Sequence, residues 1–162
     1  MEDNRQYLQI MIESLQKKQQ VLDAIMRAND RQTAILHQDE ADWEAFDEYA
    51  EQKTKLIDQL DQLDDGFESL YNHIEEALAD DAGRMAYQDE IRQMQNLIRE
   101  LTEKSMSIQA SEARNKQLVE QKFARQRQQL KTGRLSSKAA MDYYKNMRQT
   151  GNLQAQFLDS KK

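Results

Sequence analysis

The chain has 162 residues, with no proline, no cysteine, four glycines and 32 % charged residues, the profile of long solvent-washed helices and not of a sheet protein with many tight turns. The missing cysteine excludes a disulfide framework, a thiol nucleophile and a cysteine zinc site, and suits a reducing compartment. The net charge of −6 hides an asymmetry: residues 1–121 hold 13 Lys+Arg against 27 Asp+Glu, whereas residues 122–162 hold 10 against 2.

The first stretch begins acidic and runs on as amphipathic helix, which does not fit a signal peptide. Asp3 or Asn4 can cap it. Leu8, Leu15, Leu22, Asn29 and Leu36 fall seven apart, the mark of a coiled-coil-like seam, and Asn29 is its polar entry, a register-setting or partly solvated position. The pattern breaks at His37-Gln38-Asp39-Glu40, with Asp39 as the expected cap of a second helix and Asp42 in its first turn, where negative charge suits the helix dipole.

The second helix carries Phe46, Lys53, Leu60, Phe67 and Ile74 as one heptad row and Tyr49, Leu56, Leu63, Leu70 and Ala77 as the next. Lys53 interrupts the first row, burying its aliphatic stem while the ammonium reaches solvent or an acidic neighbour. Asp64-Asp65-Gly66 lies mid-pattern, yet the heptad phase is unchanged across it, so the helix is expected to continue. A second break falls at Ala79-Asp80-Asp81-Ala82-Gly83, again with aspartates able to cap.

The third stretch, from about Arg84 to Lys131, reads as the element around which the chain is organised. Ile91, Met94, Ile98 and Leu101 line one side of a helix. Its seam turns polar at Ser105, Glu112 and Asn115, recovers at Leu118 and Val119, and enters the basic segment Lys122 to Lys131, so that its second half reads less as core than as an arm. It outruns its partners and should project past the turn between the first two helices, with Gly133 just beyond its end.

Ser136 or Ser137 can cap a short fourth helix, Lys138 to about Gln149, closed by Gly151. Leu135, Met141, Tyr144 and Met147 lie near one face, with Tyr143 beside it, followed by Leu153, Phe157 and Leu158 without helical period. Met and Tyr make adaptable contact surfaces, so this segment is either a cap docked on the bundle end or an adhesive segment that takes up a partner.

The expected architecture is all-α: an elongated antiparallel three-helix coiled-coil-like bundle with a short C-terminal helix and a flexible tail. Residues 1–133 form the bundle, with helices at about 4–37, 40–79 and 82–131, and residues 134–162 form the short helix and tail. His37 and His73 stand apart with no metal motif beside either, and no phosphate loop, nucleophile elbow or dinucleotide motif is present. The reading is a protein that works by surface and shape, not an enzyme, with no cofactor or metal. An acidic body with no base-reading module speaks against nucleic acid, and no apolar run approaches the roughly 20 residues that span a bilayer.

The chain resembles the FlgN-type flagellar export chaperones, on Leu15-Gln16-Lys17-Lys18-Gln19-Gln20-Val21-Leu22, on Lys53-Thr54-Lys55-Leu56-Ile57 followed by Leu60 and Leu63, on Asn115-Lys116-Gln117-Leu118-Val119, and on the tyrosine-bearing tail. The resemblance implies a cytoplasmic chaperone that binds the C-terminal helical segments of hook-associated (hook-filament junction) proteins, keeps them unassembled and delivers them to the flagellar type III export apparatus. It places partner binding in the C-terminal region: Leu135, Met141, Tyr144, Met147, Leu153, Phe157 and Leu158, with Tyr143 as an export-gate contact. Two alternatives stand beside it. One is a FliT-type chaperone for the filament cap protein; the other is a structural scaffold that self-associates through the heptads, which leaves a homodimer open.

Overall fold

The computed structural model describes residues 2–129, whose regular elements are all helical: α1 (Glu2–Leu36), α2 (Trp43–Ile74), a 3-10 turn (Glu76–Leu78), α3 (Asp81–Ala86) and α4 (Gln88–Gln129). The fold is the all-α bundle that the heptads predict. Its centre, however, is α1 and not the third stretch. α1 packs closely on both α2 and α4, while α2 and α4 meet through side chains without close backbone approach.

The reason lies in the width of each buried face. α1 buries Leu8, Met11, Ile12, Leu15, Lys18, Leu22 and Ile25 in succession, a stripe broad enough for two neighbours. α2 buries the narrower series Phe46, Ala50, Lys53, Ile57, Leu60, Asp64 and Phe67, and α4 buries Met94, Leu101, Ile108 and Asn115, seven apart.

α2 runs antiparallel to α1, with the buried pair Lys18–Asp64 midway and Gln32 Nε2 donating to the Phe46 carbonyl (3.0 Å) near the first turn. α4 returns parallel to α1 in constant register. Gln19 bonds Glu100 at 2.6 Å and Lys104 pairs with Asp23 at 2.6 Å, each across 81 residues, and Thr33 bonds Asn115 across 82. A slip of one residue would break all three.

The first turn is capped by Asp42, whose carboxylate accepts from Ala45 N at 3.1 Å, and not by Asp39. Gln38 N bonds the Ile35 carbonyl (3.1 Å) and Gln38 Oε1 accepts from Asp42 N (3.3 Å), so the chain stays in the turn for three more residues. α1 is already helical at Glu2, which puts Asp3 and Asn4 inside its first turn.

The second junction is more broken than expected. Asp80 caps α3 by accepting from Gly83 N at 2.7 Å, and the chain kinks at Tyr87 (φ −116°, ψ 27°) before α4 starts. Tyr87 is buried beneath the Arg5 guanidinium, 5.5 Å from its ring, and that anchor sets the kink. Gly83 is required because a Cβ there would meet the Ala77 carbonyl oxygen at 1.8 Å. Gly66, by contrast, lies in unbroken helix with open space where a Cβ would go.

Candidate partner-binding end of the bundle

The polar interruptions of the three seams meet as one layer. Asn29 of α1, Lys53 of α2 and Glu112 and Asn115 of α4 are each at most 5 % exposed. Lys53 Nζ donates to Asn29 Oδ1 (2.7 Å) and to Glu112 Oε1 (2.9 Å), while Asn115 Nδ2 donates to the Asn29 carbonyl (3.2 Å) and Thr33 Oγ1 to Asn115 Oδ1 (2.8 Å). The Lys53 ammonium therefore takes the acidic neighbour and never reaches solvent. Burial pulls its pKa down from 10.5 to about 8, against the opposing pull of Glu112.

This corrects the expectation that α4 leaves the core after Ser105. Ile108, Glu112, Asn115 and Val119 are all buried, because the polar residues of α4 face polar partners on α1 and α2. A buried layer of this kind contributes little net stability, but a shifted register would strand its charges, so it specifies the alignment of the three helices.

The layer splits the apolar core in two. On the α3 side lies the long cluster from Leu8 to Ile25 packed on Ile57, Leu60, Phe67, Ile74, Met94 and Leu101. On the other side a small cluster of Ile35, Leu36, Phe46 and Val119 closes the end, with Trp43, Leu118 and Phe123 packed on it. The Trp43 and Phe123 rings pack at 4.9 Å, tilted by 44°, and the Lys122 ammonium is held by the Gln38 and Asp39 carbonyls of the first turn. Beyond that clamp α4 continues to Gln129, about 10 Å of helix past the turn. Arg125 and Arg127 are exposed there, and no acidic residue falls between Lys122 and Gln129.

The residue rows show which faces turn toward each other. On α2 the row of Asp64 meets α1 through Lys18, the row of Lys53 meets both neighbours, and the next row round, Tyr49, Leu56, Leu63 and Leu70, turns toward α4 and is only half-buried. On α4, Glu112 reaches α2, and Ile91, Ile98 and Ser105 share its row, all half-buried. Because the two backbones stay apart, these rows line a shallow, half-buried channel between α2 and α4 on the side away from α1, floored by Leu56, Leu70, Ile91 and Ile98 packed on the core.

The match with a known family now has a structure to sit on. A family model described as "FlgN protein" matches residues 1–150. The chain belongs to the FlgN family. That makes it a flagellar export chaperone of the general kind, a protein that binds flagellar proteins, in a family not known for enzymes. No curated protein and no solved structure matches the chain.

Of the FlgN-like positions singled out in the sequence, Asn115 sits in the polar layer, Val119 is buried in the small end cluster and Leu118 packs half-buried beside it. They build the end of the bundle. The tail positions Leu135, Met141, Tyr143, Tyr144, Met147, Leu153, Phe157 and Leu158 lie outside the described residues. Among the described residues no group of His, Asp or Glu could hold a metal ion, and no helix is long and apolar enough to cross a membrane. The channel between α2 and α4 was missed at sequence level. Its signal was there in the row Tyr49, Leu56, Leu63 and Leu70, which reads as core until α4 is known to stand off from it.

Proposed function

We propose that this FlgN-family protein is a cytoplasmic chaperone for hook-associated proteins, capturing their C-terminal helical segments through residues 135–158 and delivering them to the flagellar export gate. The observation that carries the proposal is the family match over residues 1–150, which takes in all four of the tail's Met and Tyr positions. The bundle supports it by its construction: the end that hands on to the tail is set off by a polar layer, and α4 extends past the first turn as a basic rod.

Polymerising segments of export substrates are amphipathic helices, and a chaperone can cover their apolar stripe with one of its own. Ordering a tail on binding costs free energy, so capture is specific yet reversible, as delivery requires. The chain needs neither nucleotide nor metal for this.

The test is capture of purified hook-associated proteins and of the filament cap protein by the full chain, by a chain ending at Lys131 and by the Tyr144→Ala/Met147→Ala double variant. Both altered chains are expected to lose capture of the hook-associated proteins while keeping the helical spectrum of the bundle. Undiminished capture by the shortened chain overturns the tail assignment, and preferential capture of the cap protein favours a FliT-type role.

A further inference from the structure

In a chain that is one-third charged, the channel between α2 and α4 carries no charge along its middle. Beyond the half-buried leucine row of α2, the next positions outward are Gln52, Gln59 and Gly66; beyond Ile98 and Ser105 on α4 stand Thr102 and Gln109, with Lys116 next in that row at the level of Tyr49. Met106, on the rim of α4 level with Gln59, is 64 % exposed. Charge exclusion along a strip of apolar and amide groups marks the centre of an interface, whereas solvated helix faces fill with Lys and Glu. On the outer face of α2, Glu48 and Lys55 stand next to the strip and Glu51, Asp58 and Asp65 lie further round, all exposed, and α2 as a whole carries nine Asp+Glu against two Lys.

We propose that this strip is the docking site of the chain's own segment Lys138–Gln149. The segment has complementary chemistry. It offers Met141, Tyr144 and Met147 at the spacing of one helical face, and it carries Lys138, Lys145 and Arg148 against a single acidic residue, Asp142. The reach is also right. α4 ends at Gln129 on the side of the first turn, and the residues leading to Lys138 can extend about 30 Å, against the roughly 20 Å back along α4 to the level of Tyr49. Twelve residues as helix then cover about 18 Å, the run from Tyr49 to Leu63. Its net positive charge suits the net negative charge of α2. At the mouth of the channel the indole N–H of Trp43 is buried with no acceptor among the described residues, an orphan donor beside the path such a segment takes.

The docking stands on the channel and the segment alone, independent of which protein the chaperone carries. Together with the proposed function it places the tail's apolar groups on the bundle before a partner takes them up.

The absence of native cysteine makes the test clean. In the full chain, Gln59→Cys with Met147→Cys is compared under mild oxidation with Gln16→Cys and Met147→Cys, Gln16 being exposed on α1. Docking predicts a cross-link within one chain for the Gln59 pair, formed roughly tenfold or more faster than for the Gln16 pair, as for held against merely tethered groups. High salt or Glu48→Lys should slow it. Equal rates for the two pairs, no cross-link in either, or cross-links only between chains, the signature of a second copy in the strip, would each overturn the proposal. Failure of the unsubstituted full chain to capture any hook-associated protein, while the Gln59 pair still cross-links, would count against the proposed function and leave the docking standing.

Discussion

The two ends of the bundle are held by different physics. Toward α3, α1 meets α2 and α4 over a long apolar cluster running from Leu8 to Ile25 on α1 alone, crossed by the buried Lys18–Asp64 pair and anchored by Phe67, Ile74 and the buried Tyr87. Toward the first turn, beyond Asn29, Lys53, Glu112 and Asn115, the buried cluster among the described residues is the small one of Ile35, Leu36, Phe46 and Val119. The long half owes its stability to hydrophobic burial; the short half owes its alignment to a polar fit. A chaperone that must seize and release a partner has its weaker half at the end from which the tail departs.

That comparison can be broken most forcefully at Glu112. Glu112→Ala leaves the Lys53 ammonium buried without its carboxylate and should cost about 3–5 kcal/mol in denaturant unfolding. Lys53→Met combined with Glu112→Leu should recover most of that loss, because the charge and its partner leave together; if the double variant is as unstable as the single one, packing and not charge pairing holds the layer. In the long half, Leu60→Ala removes a fully buried side chain and should cost about 2–5 kcal/mol with no such rescue.

A smaller effect is expected from pH. Lys53 has its pKa lowered by burial to about 8, below its ordinary 10.5. Between these values the unfolded chain binds more proton than the folded one, so stability from this group rises as pH rises from about 8 toward 10.5 and is absent below about 8. Unfolding free energies of the wild type, taken relative to Lys53→Met at each pH, should climb across that window, and a flat difference would show that Lys53 is not the desolvated group described. Smallest of all, Gly66→Ala places a methyl in open space on an unbroken helix and should stabilise the long half by about 0.5–1 kcal/mol in thermal unfolding.

Much of this was legible in the residues themselves. Asn29 and Lys53 each interrupt a seven-residue row, and Glu112 and Asn115 mark where the α4 seam turns polar, so every member of the layer could be seen. What no row reveals is that the interruptions share one level, since that depends on the 81-residue register between α1 and α4. The central place of α1 was legible too, in the width of its apolar stripe, but a longer helix drew the reading toward the third stretch. The kink at Tyr87 has no glycine or proline to announce it and arises from a tertiary anchor. The tail's contact residues follow from composition and resemblance, and they lie outside the described residues.

Hydrogen exchange of the full chain, alone and with a bound C-terminal segment of a hook-associated protein, tests the central claim most directly. The claim is that the work is done by the tail and by the face between α2 and α4 that it reaches from the end beyond the polar layer. New or altered protection should gather in residues 116–158 and along Tyr49 to Leu63 of α2, with Leu8 to Ile25 unchanged. Protection centred on α3, or spread evenly over the bundle, would contradict it.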